Sequence, residues 1–146
     1  MANILISPGK YVQGAGEMKK LGTYAASYGK KALILISAGG YKRIGKEIED
    51  SFSGVDCEAV FDYFNGECSK KEIDRLCGIM KENGCDLVIG VGGGKIFDTA
   101  KAVAYYQKTP VVICPTIAST DAPCSALSVI YTDEGVFEEY LFLPAN

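Results

Sequence analysis

The stretch that decides the fold reads Leu87-Val88-Ile89-Gly90-Val91-Gly92-Gly93-Gly94-Lys95. A short apolar run leads directly into consecutive glycines, and a helical pattern begins near Ile96. Consecutive glycines after a strand let the backbone approach a ligand closely, and the following helix presents unpaired N–H groups and a partial positive charge. The order therefore predicts a strand, a tight turn and a helix, with a pyrophosphate as the natural occupant of the turn.

This glycine motif differs from the better-known phosphate-binding patterns. Lys95 stands where G-x-G-x-x-G requires its last glycine, and Ile96 stands where the Walker A pattern requires Ser or Thr. Two interpretations therefore stay open on these residues alone. The motif is either a phosphate-binding loop or a tight strand-to-helix turn in which Lys95 is a solvated surface lysine.

Three more apolar runs of strand length lie around this stretch, at residues 32–36, 57–61 and 111–114. Strands that are apolar on both faces are expected where helices cover both sides of a parallel sheet. Helical patterns separate the runs, so the order is β-α-β-α-β-α-β. This alternation predicts an α/β fold with right-handed crossovers: an open, mostly parallel, Rossmann-like sheet with helices on both faces.

The clearest helical pattern begins at the capping box Ser69-Lys70-Lys71-Glu72. Apolar residues follow it with helical spacing, and Asn83-Gly84 provides the end signal that a helix C-terminus prefers. Apolar residues predict three further helices at Met18, Leu21 and Ala25, at Ile44 and Ile48, and at Ile96, Ala100, Val103 and Ala104.

The two ends of the chain follow a different pattern. Residues 4–6 and 11–13 are predicted to be short strands. Residues 128–131 and 140–143 flank the turn signal Asp133-Glu134-Gly135, which predicts a terminal β-hairpin.

Composition excludes several classes of protein. The chain has 146 residues, which fits one domain, and its net charge of −3 argues against a nucleic-acid partner. No apolar run approaches the ~18 residues of a membrane span. The N-terminus lacks the basic flank and longer apolar stretch of a signal peptide. We therefore expect a cytoplasmic protein without a membrane partner.

The histidine and cysteine content limits the chemistry further. The sequence has no histidine, which excludes Ser-His and Cys-His nucleophile pairs and every His-ligated metal site within this chain. Its 6 cysteines form no C-x-x-C pair. Cys57, Cys77 and Cys114 occupy apolar positions of the local pattern, so we expect small core side chains in a reducing compartment. No metal ligand is predicted.

A polar loop follows the fourth apolar run and would open beside the glycine turn. Its hydroxyl groups suit phosphate or ribose oxygens, and they belong to Thr116, Ser119, Thr120 and Ser125. Asp121 can accept a hydrogen bond from a substrate hydroxyl. It can equally be a turn or N-cap aspartate near Pro123, and the two interpretations stay open.

Two long motifs resemble one enzyme family. Gly92-Gly93-Gly94-Lys95-Ile96-Phe97-Asp98-Thr99-Ala100-Lys101 resembles the glycine loop and D-T-A-K helix of the metal-dependent (iron-containing) polyol and alcohol dehydrogenases. The run from Pro115-Thr116-Ile117-Ala118-Ser119-Thr120-Asp121 to Tyr131 resembles the glycerol-oxidising members. Ser7-Pro8-Gly9-Lys10-Tyr11 and Gly66-Glu67-Cys68-Ser69 are also similar to that family. The resemblance extends over essentially the whole chain.

The resemblance implies an incomplete enzyme. Residues 1–146 correspond to an N-terminal NAD-binding domain, and the C-terminal helical domain, which carries the ligands for zinc or iron, is absent from this chain. The implied reaction oxidises glycerol, a small polyol, to dihydroxyacetone by metal-assisted hydride transfer to NAD. We expect the isolated chain to be inactive, and to self-associate or to pair with a helical C-terminal domain. A stand-alone nucleotide-binding module and a degenerate oligomerisation module are the alternatives.

The resemblance also implies roles for single residues. Asp121 contacts the polyol hydroxyls and is the one catalytic residue expected in this chain. The implied cofactor contacts are Gly93, Gly94, Lys95, Asp98, Thr116, Ser119, Ser125, Leu127 and Tyr131. The family usually has an acid at the end of the first long strand, where it binds the adenosine ribose. Ser37 stands at that position here, which predicts weaker NAD binding and less discrimination against NADP.

Overall fold

The computed structural model describes residues 17–115, 127–131 and 137–142, with the side chains of residues 18–115. A 3-10 turn at Glu17–Lys20 precedes the regular elements. In chain order these are α1 Leu21–Ala26, β1 Lys31–Ile36, α2 Ala38–Ser51, β2 Glu58–Tyr63, α3 Lys70–Asn83, β3 Leu87–Gly92, α4 Gly94–Gln107, β4 Val111–Pro115, β5 Leu127–Tyr131 and β6 Phe137–Phe142. The predicted α/β alternation is confirmed.

The first four strands form one parallel sheet in the order β2-β1-β3-β4. The chain moves outward from β1 to β2, then crosses back over β1 to β3 and continues to β4. Helix α2, which connects β1 to β2, packs on one face of the sheet, whereas α3 and α4, which lead to β3 and β4, pack on the other. This change of face is required because all the crossovers have the same hand. The carboxyl ends of β1 and β3 therefore form the switch point at which open α/β sheets bind ligands.

The core lies on both faces of the two central strands. Leu33 and Leu35 of β1 pack against α3 and α4, whereas Ile34 and Ile36 pack against α1 and α2. All four side chains are buried, as the apolar run predicts. Helices cover both faces of the sheet, as predicted, although the flanking strands β2 and β4 are only half-buried.

Helix α3 begins and ends as its sequence predicts. The Ser69 side chain accepts a hydrogen bond from the Glu72 backbone N at 3.1 Å. Gly84 ends the helix with a φ of 68°, a left-handed conformation that glycine adopts without the steric cost of a side chain. These two residues therefore fix the length of α3.

Strands β5 and β6 form the predicted antiparallel hairpin, in which Val129 pairs with Tyr140. Its turn and the strands predicted at residues 4–6 and 11–13 lie outside the described residues. No helix in the described part of the chain is long and apolar enough to cross a membrane.

The three cysteines predicted to be core side chains belong to it in different degrees. Cys57 is buried, whereas Cys77 and Cys114 are half-buried and pack against the core. Cys68, which was not among the three predicted core cysteines, is completely buried. These four thiols are free, as is that of Cys85.

Candidate functional site

The candidate site lies where β1 and β3 end side by side. Ile36, the last residue of β1, pairs with Val91. Ser37, which follows Ile36 directly, therefore lies next to the point where the glycine turn follows β3. The alternating topology thus brings together two segments that lie more than fifty residues apart in the sequence.

Two glycines of the motif are required by packing and backbone geometry. A Cβ atom on Gly90 would lie 2.9 Å from the Ala100 Cβ, so α4 approaches β3 closely because residue 90 has no side chain. Gly92 has a φ of +146°, a conformation that L side chains rarely adopt. These glycines shape the turn and do not by themselves indicate a ligand.

Gly93 is the N-cap of α4, and its surroundings differ from those of Gly90 and Gly92. Among the residues that the structure describes, no atom of another part of the chain lies within 4 Å of the position that a Cβ of Gly93 would occupy, and no side chain caps the helix there. The start of this 14-residue helix, with its first backbone N–H groups, is the kind of position at which proteins bind anions.

Lys95 lies in the first turn of α4 and forms an ion pair across the site. Its Nζ atom lies 2.7 Å from Oε1 of Glu67, in the loop between β2 and α3. The Lys95 side chain is 55% exposed, whereas that of Glu67 is 21% exposed. The lysine is therefore accessible from solvent but held by an acid that motif analysis had not singled out as a site residue.

A network of charged side chains holds the loop that carries Glu67. The buried Glu72 carboxylate accepts hydrogen bonds from the Asn65 backbone N at 2.9 Å and from the Arg75 side chain at 2.6 Å. Arg75 also donates to Asp62 at 2.8 Å and to the Tyr63 carbonyl at 3.1 Å. The first turn of α3 is thereby fixed to the end of β2.

Beneath the ion pair lies a small polar cluster. The hydroxyl of Thr99 donates to the Lys95 carbonyl at 2.8 Å. Burial raises the pKa of the Cys68 thiol to about 12, and a hydrogen bond with the Thr99 side chain opposes this shift. Asp98, predicted to contact the cofactor, is largely buried, with its carboxylate 4.0 Å from Nζ of the buried Lys101.

Ser37 has a structural role in addition to its predicted one. It is the N-cap of α2, and its Oγ atom accepts a hydrogen bond from the Gly40 backbone N at 3.0 Å. The residue is half-buried at the end of β1, where an adenosine ribose contact is predicted. Its contact with the cofactor stays a prediction.

The structure describes only part of the predicted site. Ser37, Gly93, Gly94 and Lys95 all lie at the carboxyl end of the parallel strands, and Asp98 lies one turn further along α4. Leu127 and Tyr131 are the first and last residues of β5, which lies against α4. Thr116, Ser119, Asp121 and Ser125 fall outside the described residues.

The described residues do not provide a metal centre. Among them no three His, Cys, Asp or Glu side chains are grouped so that they could hold an ion, and the sequence as a whole has no histidine. The zinc or iron that the resemblance implies therefore does not fit this part of the chain.

Comparison with known proteins agrees with the geometry. Residues 8–144 match the family model described as iron-containing alcohol dehydrogenase. The chain is 52% identical over 147 residues to glycerol dehydrogenase of Thermotoga maritima and 49% identical over 146 residues to that of Pseudomonas putida. Both alignments cover 100% of this chain, which spans 40% of the length of each relative.

A solved structure extends the match to three dimensions. The crystal structure of a probable glycerol dehydrogenase from Sinorhizobium meliloti superposes with a TM-score of 0.90 at 46% identity, over 99% of this chain and 39% of that one. The sequence motifs, the sheet topology and these alignments all indicate the same relationship. The chain belongs to the iron-containing alcohol dehydrogenase family.

Proposed function

We propose that this chain is the NAD-binding part of a glycerol dehydrogenase. The observation that carries the proposal is the opening at Gly93: at the start of α4, beside the switch point of the sheet, no atom of another part of the described chain lies within 4 Å of its Cβ position. The relatives that align over the whole chain are named glycerol dehydrogenases, and this chain spans 40% of their length.

In this proposal the chain binds and orients the dinucleotide. The N–H groups of the first turn of α4 donate to pyrophosphate oxygens, and Lys95 adds a positive charge. Ser37 offers one hydroxyl to the adenosine ribose. Bound NAD supplies the hydride acceptor for the oxidation of glycerol to dihydroxyacetone.

The loop after β4 completes the proposed site. Asp121 accepts a hydrogen bond from a glycerol hydroxyl and so orients the polyol toward the nicotinamide. The remaining cofactor contacts come from Thr116, Ser119, Ser125, Leu127 and Tyr131. We place the zinc or iron ligands outside these 146 residues, in a helical domain that pairs with this one. Self-association of this chain is the alternative way of covering the surface that would contact the helical domain.

Calorimetric titration of the chain with NAD tests the proposal, with two matched glycine variants. Gly93→Ala should abolish or greatly weaken binding, because its methyl group enters the space the pyrophosphate needs. Gly78→Ala should bind normally, because residue 78 lies on α3 and its Cβ position is equally open. A wild-type chain that binds no dinucleotide would instead support a degenerate oligomerisation module.

A further inference from the structure

The ion pair between Lys95 and Glu67 joins residues that lie 28 positions apart in the sequence. Oε1 of Glu67 accepts a hydrogen bond from the lysine at 2.7 Å. The second carboxylate oxygen, Oε2, is buried and has no hydrogen-bond partner among the described residues. A buried acceptor without a partner lowers stability. Stability of the fold alone therefore does not account for this arrangement.

The position of Lys95 makes the pairing relevant to ligands. A lysine in the first turn of a helix lies at the positive end of the helix dipole, where an anion is stabilised and a cation is not. Glu67 supplies a negative charge close to that end. The Glu67 carboxylate therefore stabilises the positive charge of Lys95 in the same way as a bound anion would.

We infer that Glu67 is a positioning residue that competes with the pyrophosphate of the dinucleotide for Lys95. The inference rests on the proposed function, because the competitor is the pyrophosphate bound at Gly93. When the dinucleotide binds, the Lys95 ammonium turns from the carboxylate to the phosphate oxygens. Glu67 keeps its negative charge nearby, which lowers the affinity and favours release.

The first test is the affinity of the Glu67→Gln variant. The amide keeps the shape of the side chain and removes its charge, so NAD and ADP should bind about two- to fivefold more tightly than to wild type, the range typical of partly exposed ion pairs. Adenosine has no phosphate, so its affinity should not change. The gain should shrink at high salt, because screening weakens exposed charges.

A double-mutant cycle tests whether Glu67 acts through Lys95. If Glu67 only repels the ligand directly, Glu67→Gln should raise the affinity equally whether or not Lys95 is present. If Glu67 acts by holding Lys95, the gain in affinity requires the lysine. The tightening caused by Glu67→Gln should therefore fall by at least half in a Lys95→Met background. Equal tightening in both backgrounds would overturn the inference.

The ion pair of Lys30 and Asp56 provides a matched control. Its two charged atoms lie 2.6 Å apart. Because Lys30 immediately precedes β1, the pair lies at the amino end of the parallel strands, opposite the candidate site. Asp56→Asn makes the same change in net charge and should leave NAD affinity unaltered. If wild type binds neither NAD nor ADP, the proposed function fails and the inference fails with it. If wild type binds both and Glu67→Gln equals wild type, the inference alone fails.

Discussion

Gly90 on β3 lies directly against Ala100 on α4, so close that a Cβ atom at residue 90 would be 2.9 Å from the Ala100 Cβ. Gly90 is buried, and Ala100 is completely buried. This close approach of α4 to β3 sets the position of the start of α4 relative to the carboxyl ends of the strands. The opening at Gly93 therefore depends on a glycine that lies three residues earlier in the sequence.

Gly90→Ala should destabilise the fold by about 1–3 kcal/mol, the usual cost of overpacking a close-packed core. Urea unfolding followed by circular dichroism measures the change. The control is Gly78→Ala, where the added methyl group meets nothing and alanine favours the helix by up to about 1 kcal/mol. Equal stability of the two variants would contradict the close packing of α4 on β3.

Arg75→Met should destabilise the chain because it leaves the Glu72 carboxylate buried without its counter-charge. Breaking a fully buried pair costs about 3–5 kcal/mol, but the Arg75 side chain is 39% exposed, so we expect about 2 kcal/mol. Urea unfolding again gives the value. Lys30→Met breaks a fully exposed pair and should have no measurable effect. A similarly small effect for Arg75→Met would mean that water replaces the guanidinium.

Cys68 should make the stability depend on pH in the alkaline range. Its thiol pKa is raised from 9.0 to about 12, so above pH 9 the unfolded chain releases a proton that the folded chain retains. The contribution of the buried neutral thiol to the free energy of unfolding is therefore complete below pH 9. Between pH 9 and pH 12 this contribution falls by up to about 1.4 kcal/mol for each pH unit.

Cys68→Ala provides the measurement. Alanine removes the thiol, so the destabilisation caused by this substitution should be smaller at pH 10.5 than at pH 7.5, by about 2 kcal/mol. Urea unfolding of both proteins at the two pH values yields the difference. A constant difference would show that the folded chain lets the Cys68 thiol ionise near its ordinary pKa.

Local patterns were sufficient to predict the helices and strands of the parallel sheet that the structure describes. Each strand of the parallel sheet is a short apolar run, and Ser69 and Gly84 mark the two ends of α3 in the sequence itself. The glycine motif also predicted the turn between β3 and α4, whereas its role as a binding site stays a prediction. The partial exposure of β2 and β4 was not predicted, because apolar composition does not reveal which strands lie at the edges of the described sheet.

The long-range contacts of the site could not be predicted in the same way. Glu67 meets Lys95 only because α3 crosses back over β1, and no periodicity in either segment encodes that pairing. The glycines are likewise indistinguishable in sequence, although a Cβ at Gly90 would meet Ala100 and one at Gly93 would meet no other part of the described chain. Cys68 is buried although its immediate neighbours are Glu67 and Ser69, so local polarity misleads there.

Ser37 offers a test of the adenosine end of the proposed site. An acid forms charge-assisted bonds to two ribose hydroxyls, worth about 1.5–3 kcal/mol, whereas serine forms one neutral bond worth about 1 kcal/mol. Ser37→Asp should therefore tighten NAD binding by roughly five- to thirtyfold and weaken NADP binding, because a carboxylate repels the 2′-phosphate. Titration calorimetry with both dinucleotides measures the two effects.

Because Ser37 is the N-cap of α2, Ser37→Asp can change the ribose contact without removing the cap. Aspartate caps helices as well as serine does, so Ser37→Asp should keep the hydrogen bond from the Gly40 N–H and leave stability unchanged. Ser37→Ala is the matched control: it removes the cap, costs about 1 kcal/mol of stability and gives no gain in NAD affinity. If Ser37→Asp preserves the fold but alters neither NAD nor NADP binding, the residue caps α2 and does not contact the ribose, since a carboxylate at hydrogen-bonding distance from two hydroxyls cannot be neutral in its effect.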